Sequence, residues 1–229
     1  MSNYAFKPPA QAAIAILNTE LFFPIHRIYC VGRNFAEHAK EMGAEVPKNS
    51  PVFFMKPADA VTQSAQIPYP LHTNDLHHEL ELVVALGPTI PAKITTLNAA
   101  DAIFGYAIGL DLTRRDLQAI AKEKRLPWDT AKGFDASAPI SHLVRATDTN
   151  LSAESRIRLL VNGELRQQDQ LGQMIFSVPE IVFELSKLFQ LQAGDLIFMG
   201  TPAGVAALIR GDSFTAELEG IVSFSGTII

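Results

Sequence analysis

Glu79 and Glu81 are the first residues whose types and spacing suggest chemistry. They lie in Leu76-His77-His78-Glu79-Leu80-Glu81-Leu82-Val83-Val84-Ala85-Leu86-Gly87. Leu80, Leu82, Val84 and Leu86 alternate there and a glycine closes the run, the pattern of a β-strand over 76–87. Alternation puts both glutamates on the other face, pointing the same way. Two carboxylates that close repel unless positive charge sits between them, and hard divalent cations such as Mg²⁺, Mn²⁺ and Ca²⁺ prefer such oxygens. Taken alone, an E-x-E on a strand is more often an exposed face with two solvated glutamates. A second pair is His38 and Glu41. Asn34 as N-cap and Gly43 as C-cap predict a one- or two-turn helix, on which these two residues share a face. A neutral imidazole accepts a proton near neutral pH, and a neighbouring carboxylate fixes its tautomer and stabilises the imidazolium. The plain alternative is a surface helix with a polar pair.

The elements that must position these groups are short. Residues 27–31 and 52–55 read as strands, ended by Gly32 and by Lys56-Pro57. An apolar strand over 105–110 ends in Asp111. Thr113-x-x-Asp116 has the form of a capping box and opens a helix to about residue 124, with Leu117, Ile120 and Ala121 as its apolar stripe. A loop with Pro127 and Trp128 leads to Lys132. Residues 156–161 form a strand and Asn162-Gly163 a hairpin turn. Ser177-x-Pro179-Glu180 predicts a helix over about 178–189, with Ile181, Leu185 and Leu188 inward. Residues 200–205 form a Gly/Pro-rich loop, and the end of the chain alternates like one or two strands. The helix carrying His38, with the loop at Pro47, Asn49, Ser50 and Pro51, suits a mobile lid over about 34–50. Many short strands and a few helices make a β-rich α+β protein.

Composition excludes several classes. The 229 residues, 48% hydrophobic, are enough for a sizeable core. A net charge of −5 with a pI near 5.7 leaves no basic footprint for nucleic acid. No apolar run approaches the ~18 residues of a membrane span, and no signal-peptide pattern opens the chain. Cys30 is the lone cysteine, so no internal disulfide forms; this fits a reducing cytosol, and a cytoplasmic location is expected.

Six segments then stand in order: Gly32-Arg33-Asn34-Phe35-Ala36-x-His38-x-x-Glu41, Phe54-Met55-Lys56-Pro57, His78-Glu79-x-Glu81, Asp111-Leu112-Thr113-x-Arg115-Asp116-x-Gln118, Lys132-x-Phe134-Asp135 and Gly200-Thr201-Pro202-x-Gly204-Val205. In this order and spacing the chain resembles the fumarylacetoacetate hydrolase (FAH) family, closest to its small acylpyruvase and oxaloacetate-decarboxylase branch, over about residues 28–212. Each segment is weak alone. Six in register outweigh the solvated-face reading of Glu79 and Glu81.

The resemblance implies the family's mixed β-sandwich roll with a few short helices, as one catalytic domain over 1–229, usually a homodimer. It implies Glu79, Glu81 and Asp111 as ligands of Mg²⁺, with Mn²⁺ or Ca²⁺ as the other metals the family uses. Asp111, ending an apolar strand, sits where a side chain can emerge from the core. His38 and Glu41 correspond to the water-activating dyad, and Lys132 to the cation that stabilises a developing enolate. Gln118 corresponds to a contact with bound water or substrate, and Thr201 to a contact with a substrate carboxylate. Arg33 suits a distal carboxylate and equally a surface ion pair.

The implied activity is metal-dependent C–C cleavage of acylpyruvates, 2,4-dioxo acids such as acetylpyruvate or fumarylpyruvate, to pyruvate and a carboxylic acid. Oxaloacetate decarboxylation or tautomerisation, and isomerisation of 2-hydroxyhepta-2,4-diene-1,7-dioate in aromatic catabolism, use the same fold and metal. A binding module with structural metal is the non-catalytic alternative.

Glu217-Leu218-Glu219 repeats the E-x-E but reads as an exposed strand face, and His77 and His78 point to opposite faces and cannot both join Glu79 on a metal. Phe35 stands where the family commonly has Tyr, and Leu171-Gly172-Gln173 replaces a more usual Thr-containing stretch; both bear on the substrate's side chain. Without the SH3-like domain of the long eukaryotic hydrolase, release of acetoacetate is not expected.

Overall fold

The computed structural model describes residues 4–41, 43 and 50–229. Leu80–Leu86 runs through the middle of a six-stranded sheet ordered Val144–Arg145, Ile103–Leu110, Leu80–Leu86, Leu196–Phe198, Ile28–Gly32, Val52–Lys56. Its pairings are antiparallel except that between Leu196–Phe198 and Ile28–Gly32. A five-stranded sheet, Glu164–Gln170, Arg156–Val161, Ser213–Leu218, Val222–Ile228 and Gln66–Ile67, lies over it. Leu82, Val84 and Ile108 of the first sheet share one buried cluster with Ile157, Leu159, Phe214 and Ala216 of the second. The result is the expected β-rich α+β sandwich. Its described α-helices are short: Ala36–Glu41, Arg115–Lys124, Asp129–Lys132 and Val178–Leu188. Among the described residues no helix is long and apolar enough to cross a membrane.

Leu80, Leu82, Val84 and Leu86 face that shared core, as their alternation requires. The opposite face is covered as well: Val83 and Ala85 pack with Cys30, Ala107 and Phe198 in a second cluster. The glutamates therefore do not stand on a solvated face. The strand expected over 76–87 is also divided. Leu76–His77 joins Thr113–Arg114 and Ala207–Leu208 in a small separate sheet, and the chain turns at His78 and Glu79 before Leu80 enters the large one.

Several local expectations hold. Arg156–Val161 and Glu164–Gln170 pair through Asn162 and Gly163, whose φ values of 53° and 78° are those of a primed turn. The carboxylate of Glu180 accepts the Ser177 N–H at 2.8 Å at the start of Val178–Leu188. Others are corrected. Leu188 and Ile120 are exposed; Arg115–Lys124 buries Ala121 as expected, with Gln118 in the place expected of Ile120. Asp116 does not complete a capping box with Thr113; it accepts from Thr73 Oγ1 at 2.7 Å and from Leu117 N–H at 2.8 Å. Local partners took the acceptor that the pattern reserved for the cap.

Asn34 likewise does not cap the helix that follows it. Its buried amide ties three segments together. Nδ2 donates to Met199 O at 2.8 Å and Phe176 O at 3.0 Å, and Oδ1 accepts the Phe176 N–H at 2.8 Å. Phe35 bridges to Met174 beside it. The helix Ala36–Glu41 thus springs from a fixed base. The lid expected over 34–50, with Pro47 and Asn49, falls partly outside the described residues, which omit 42 and 44–49.

Because Asn34 satisfies buried backbone groups on two other segments, Asn34→Ala should cost about 2–4 kcal/mol. The midpoint of denaturant unfolding measures this, and an unchanged midpoint refutes the tie.

Candidate active site

Glu79, Glu81 and Asp111 offer carboxylate oxygens within 4.8 Å of one another, at 6%, 2% and 0% exposure. Sheet register brings them there. Leu80 and Leu110 are paired opposite each other, so Glu79 and Asp111, one residue beyond, face across the strand ends. The Asp111 N–H donates to Glu79 O at 2.8 Å. Glu81 follows on the same face as Glu79.

Three cations answer them. Lys132, on the one-turn helix Asp129–Lys132, donates to Glu79 Oε2 at 2.7 Å and to Asp111 Oδ2 at 2.6 Å. Arg115 donates to Glu79 Oε1 at 2.5 Å and, through Nη1, to Gln118 Oε1 at 2.6 Å. Lys56 Nζ lies 2.8 Å from Asp111 Oδ1. Its hydrogen bonds go instead to the carbonyls of Leu112 and Lys132, which leaves Asp111 Oδ1 buried without a hydrogen bond. Glu81 has no ion pair among the described residues; its Oε2 accepts the Gly200 N–H at 2.7 Å.

The charges respond to this uneven distribution. Burial raises Glu79, but Lys132 and Arg115 outweigh it and hold the carboxyl well below its usual range. Burial, reinforced by Asp111 and Glu79, pushes the Glu81 carboxyl well up. Burial disfavours the Lys132 ammonium, yet Asp111 and Glu79 raise it above the ordinary lysine value. One carboxylate without a cation, one carboxylate oxygen without a hydrogen bond and a wholly oxygen donor set fit a hard divalent ion such as Mg²⁺ or Mn²⁺.

His38 opens onto the same cleft, which Arg33, Gln118, Lys132 and Thr201 also line with Glu79 and Glu81. Its Nδ1 is 3.3 Å from Glu41 Oε2, and Glu41 in turn accepts the Gly204 N–H at 3.1 Å. Burial lowers the His38 pKa, against the upward pull of Glu79 and Glu41. All nine residues singled out from the sequence therefore meet in one region, with Glu41 and Asp111 behind the lining. Glu217 and Glu219 lie far along the chain and contact Arg158, as a strand face would.

Sequence reasoning gave no role to Lys56, Arg115, Lys122 or Gln167. Lys56 and Arg115 stood inside quoted segments, and the spacing of Arg115 and Gln118 on one helix was the available signal. Lys122 faces the cleft one turn beyond Gln118, over the Trp128 ring at 5.5 Å. Gln167, on a strand of the other sheet, carried no local signal.

The family described as fumarylacetoacetate (FAA) hydrolase C-terminal matches residues 27–229. The bovine protein named oxaloacetate tautomerase FAHD1, mitochondrial, is 42% identical over 197 residues, 86% of this chain and 88% of that one. The Escherichia coli oxaloacetate tautomerase YcgM is 40% identical over 202 residues, covering 87% and 91%. A crystal structure of fumarylpyruvate hydrolase from Pseudomonas aeruginosa, in complex with Mn²⁺ and pyruvate, superposes with a TM-score of 0.93 at 41% identity and covers 99% of each chain.

A ligand held only by the folded site stabilises the fold by about 2.7 kcal/mol at a hundredfold excess over its dissociation constant, and so raises the melting temperature. Mn²⁺ should therefore raise the melting temperature in a concentration-dependent way and EDTA should reverse it. Glu81→Gln should abolish the response in differential scanning calorimetry; a response that survives would remove Glu81 from the ligand set.

Proposed function

This chain belongs to the fumarylacetoacetate hydrolase family, and on that premise we propose that it is a divalent-metal-dependent hydrolase of acylpyruvates. It would cleave the C–C bond of a 2,4-dioxo acid such as fumarylpyruvate or acetylpyruvate to give pyruvate and a carboxylic acid. The observation that carries this reading is a buried imidazole, backed by Glu41, opening onto the cleft that holds the three acids. On this reading the chain works as one catalytic domain, and the helix Ala36–Glu41 brings the base.

A divalent ion held by Glu79, Glu81 and Asp111 would supply Lewis-acid polarisation of a chelated 2-oxo acid. The remaining steps belong to the chain. Glu41 only accepts, so the His38 Nδ1 facing it carries a proton and Nε2 is the free base. Nε2 takes a proton from water as the water oxygen bonds to the distal carbonyl carbon. The C–C bond then breaks and its electron pair passes to pyruvate as the enolate, beside the Lys132 ammonium. The proton on His38 returns to the carbon that was released. Gln118 orients water or substrate, and Thr201 contacts the substrate carboxylate.

Arg33 and Lys122 suit the far end of a dicarboxylic substrate. Both line the cleft, and neither has an ion pair among the described residues. Arg33 holds a left-handed φ of 62°, a conformation non-glycine residues adopt rarely. A second reading is favoured by the names of the curated relatives: oxaloacetate tautomerisation, in which the same electron sink stabilises an enol without attack by water.

A panel of acetylpyruvate, fumarylpyruvate, oxaloacetate and a hydroxydienedioate, each with and without EDTA, separates these readings. Fumarylpyruvate should turn over fastest and lose its rate with the metal. His38→Ala should lower its cleavage by about 10²–10⁴; cleavage at the wild-type rate would sink the assignment. Burial lowers the His38 pKa, and an added cation pushes the same way. The midpoint of the acid limb of kcat/KM should therefore lie below the ordinary histidine value of 6.5. Arg33→Met should raise KM roughly 3–10-fold for fumarylpyruvate and leave acetylpyruvate almost unchanged.

A further inference from the structure

Thr201 owes its environment to a side chain on the other sheet. Gln167, on Glu164–Gln170, is buried, as are His78 and Thr201. Its amide makes four contacts. Nε2 is 2.8 Å from Pro202 O and 2.8 Å from Thr201 Oγ1. Oε1 is 3.0 Å from the Leu80 nitrogen and 2.9 Å from His78 Nδ1.

Two of these partners leave no choice of orientation. A backbone N–H only donates, so the amide atom facing Leu80 is the oxygen. A backbone carbonyl only accepts, so the atom facing Pro202 is the nitrogen. With the amide so oriented, its second N–H must go to Thr201 Oγ1. That oxygen is an acceptor from Gln167, and the hydroxyl hydrogen has to point elsewhere. Among the described residues it has no protein acceptor, and Thr201 lines the cleft beside Glu81. By the same logic His78 Nδ1 carries a hydrogen, so the network closes without a spare donor or acceptor on the amide.

We propose that Gln167 is a positioning residue that turns the Thr201 hydroxyl into an obligatory hydrogen-bond donor aimed at the carboxylate of a 2-oxo acid in the cleft. The inference rests on the reading of that cleft as a 2-oxo acid site. It explains why a neutral amide, and not a carboxylate, stands beneath a site already crowded with acids. Glutamate at 167 would itself attract the Thr201 hydrogen and turn the donor away from the substrate. Methionine would leave the hydroxyl unaimed but free to find the substrate.

The test is the affinity of pyruvate for the Mn²⁺-loaded protein by titration calorimetry, in a double-mutant cycle. Thr201→Val should weaken pyruvate about ten- to a hundredfold, the value of one hydrogen bond to a charged group, and Thr201→Ser should restore most of it. Gln167→Glu should cost nearly as much as Thr201→Val, and Gln167→Met less. In the Thr201→Val background both changes at 167 should cost almost nothing more. Mn²⁺ affinity, which reads the Gly200 contact to Glu81, should stay within a few-fold throughout. If either change at 167 costs the same in both backgrounds, Gln167 is merely structural and the proposal fails while the cleft reading stands. If the wild-type protein binds no 2-oxo acid, the cleft reading fails and takes the proposal with it.

Discussion

Burying an ionised carboxylate costs several kcal/mol unless cations and hydrogen-bond donors meet it at close range. Here three acidic side chains are buried at one point, and much of the architecture is the means of answering them. Lys56 comes from an edge strand, Arg115 from the first turn of the helix Arg115–Lys124, Lys132 from the one-turn helix after it and the Gly200 N–H from a loop. None of these segments neighbours Glu79 in sequence. The sheet brings Asp111 across from Glu79, and the remaining elements then have to end where their cations reach that pair. The aromatic rings of Phe54 and Phe134 lie against the Lys132 and Lys56 ammonium groups at 4.9 and 5.5 Å, where their π faces favour the positive charge.

The distribution of positive charge is uneven in a way that a purely structural network would not require. Lys132, Arg115 and Lys56 all bear on Glu79 and Asp111, whereas Glu81 receives a single backbone N–H. A network built for stability alone gains by pairing its third acid or by replacing it with an apolar residue of similar size. Glu81 is instead left under the negative potential of Asp111 and Glu79 beside an open cleft. That leaves the site short of positive charge on the side from which an ion and its bound substrate would approach. The same asymmetry explains why the two glutamates behave oppositely, Glu79 held ionised and Glu81 pushed toward its neutral form.

What could be read from the sequence divides along the range of the interactions. Strand alternation at 80–86, the Asn162-Gly163 turn and the Ser177 to Glu180 start of a helix are local, and each is where its residues place it. The convergence of Glu79, Glu81, Asp111, His38 and Lys132 was legible only as a set of segments in register, because no single spacing joins strands distant in sequence. What stayed hidden depends on the other sheet or on competition. Asn34 has the chemistry of a cap, but buried carbonyls at Phe176 and Met199 claimed its amide. Asp116 matched a capping box until Thr73 supplied a nearer donor. Ile120 and Leu188 fit a helical stripe, yet each falls just beyond the strip of helix surface that the core covers. Gln167 is one glutamine among several on a polar strand, and only its burial under Thr201 sets it apart.

The loop after Phe198 shows how separate requirements come to share one short segment. Gly200 presents its N–H to Glu81, Thr201 faces the cleft, Pro202 accepts from Gln167, and Gly204 presents its N–H to Glu41. Both glycines need left-handed backbone, with φ of 91° and 97°. A β-carbon at Gly200 would stand 2.7 Å from that of Asn34, and one at Gly204 would stand 2.1 Å from Arg166 O. The backbone is therefore fixed on both sides by close approach, to the base of the helix Ala36–Glu41 and to the strand that carries Gln167. A shift of this loop could not change the surroundings of Glu81 without also moving Glu41, which stands behind the imidazole. Because one rigid segment holds both, the His38–Glu41 pair and the cluster of acids keep a common frame even though they stand on separate elements.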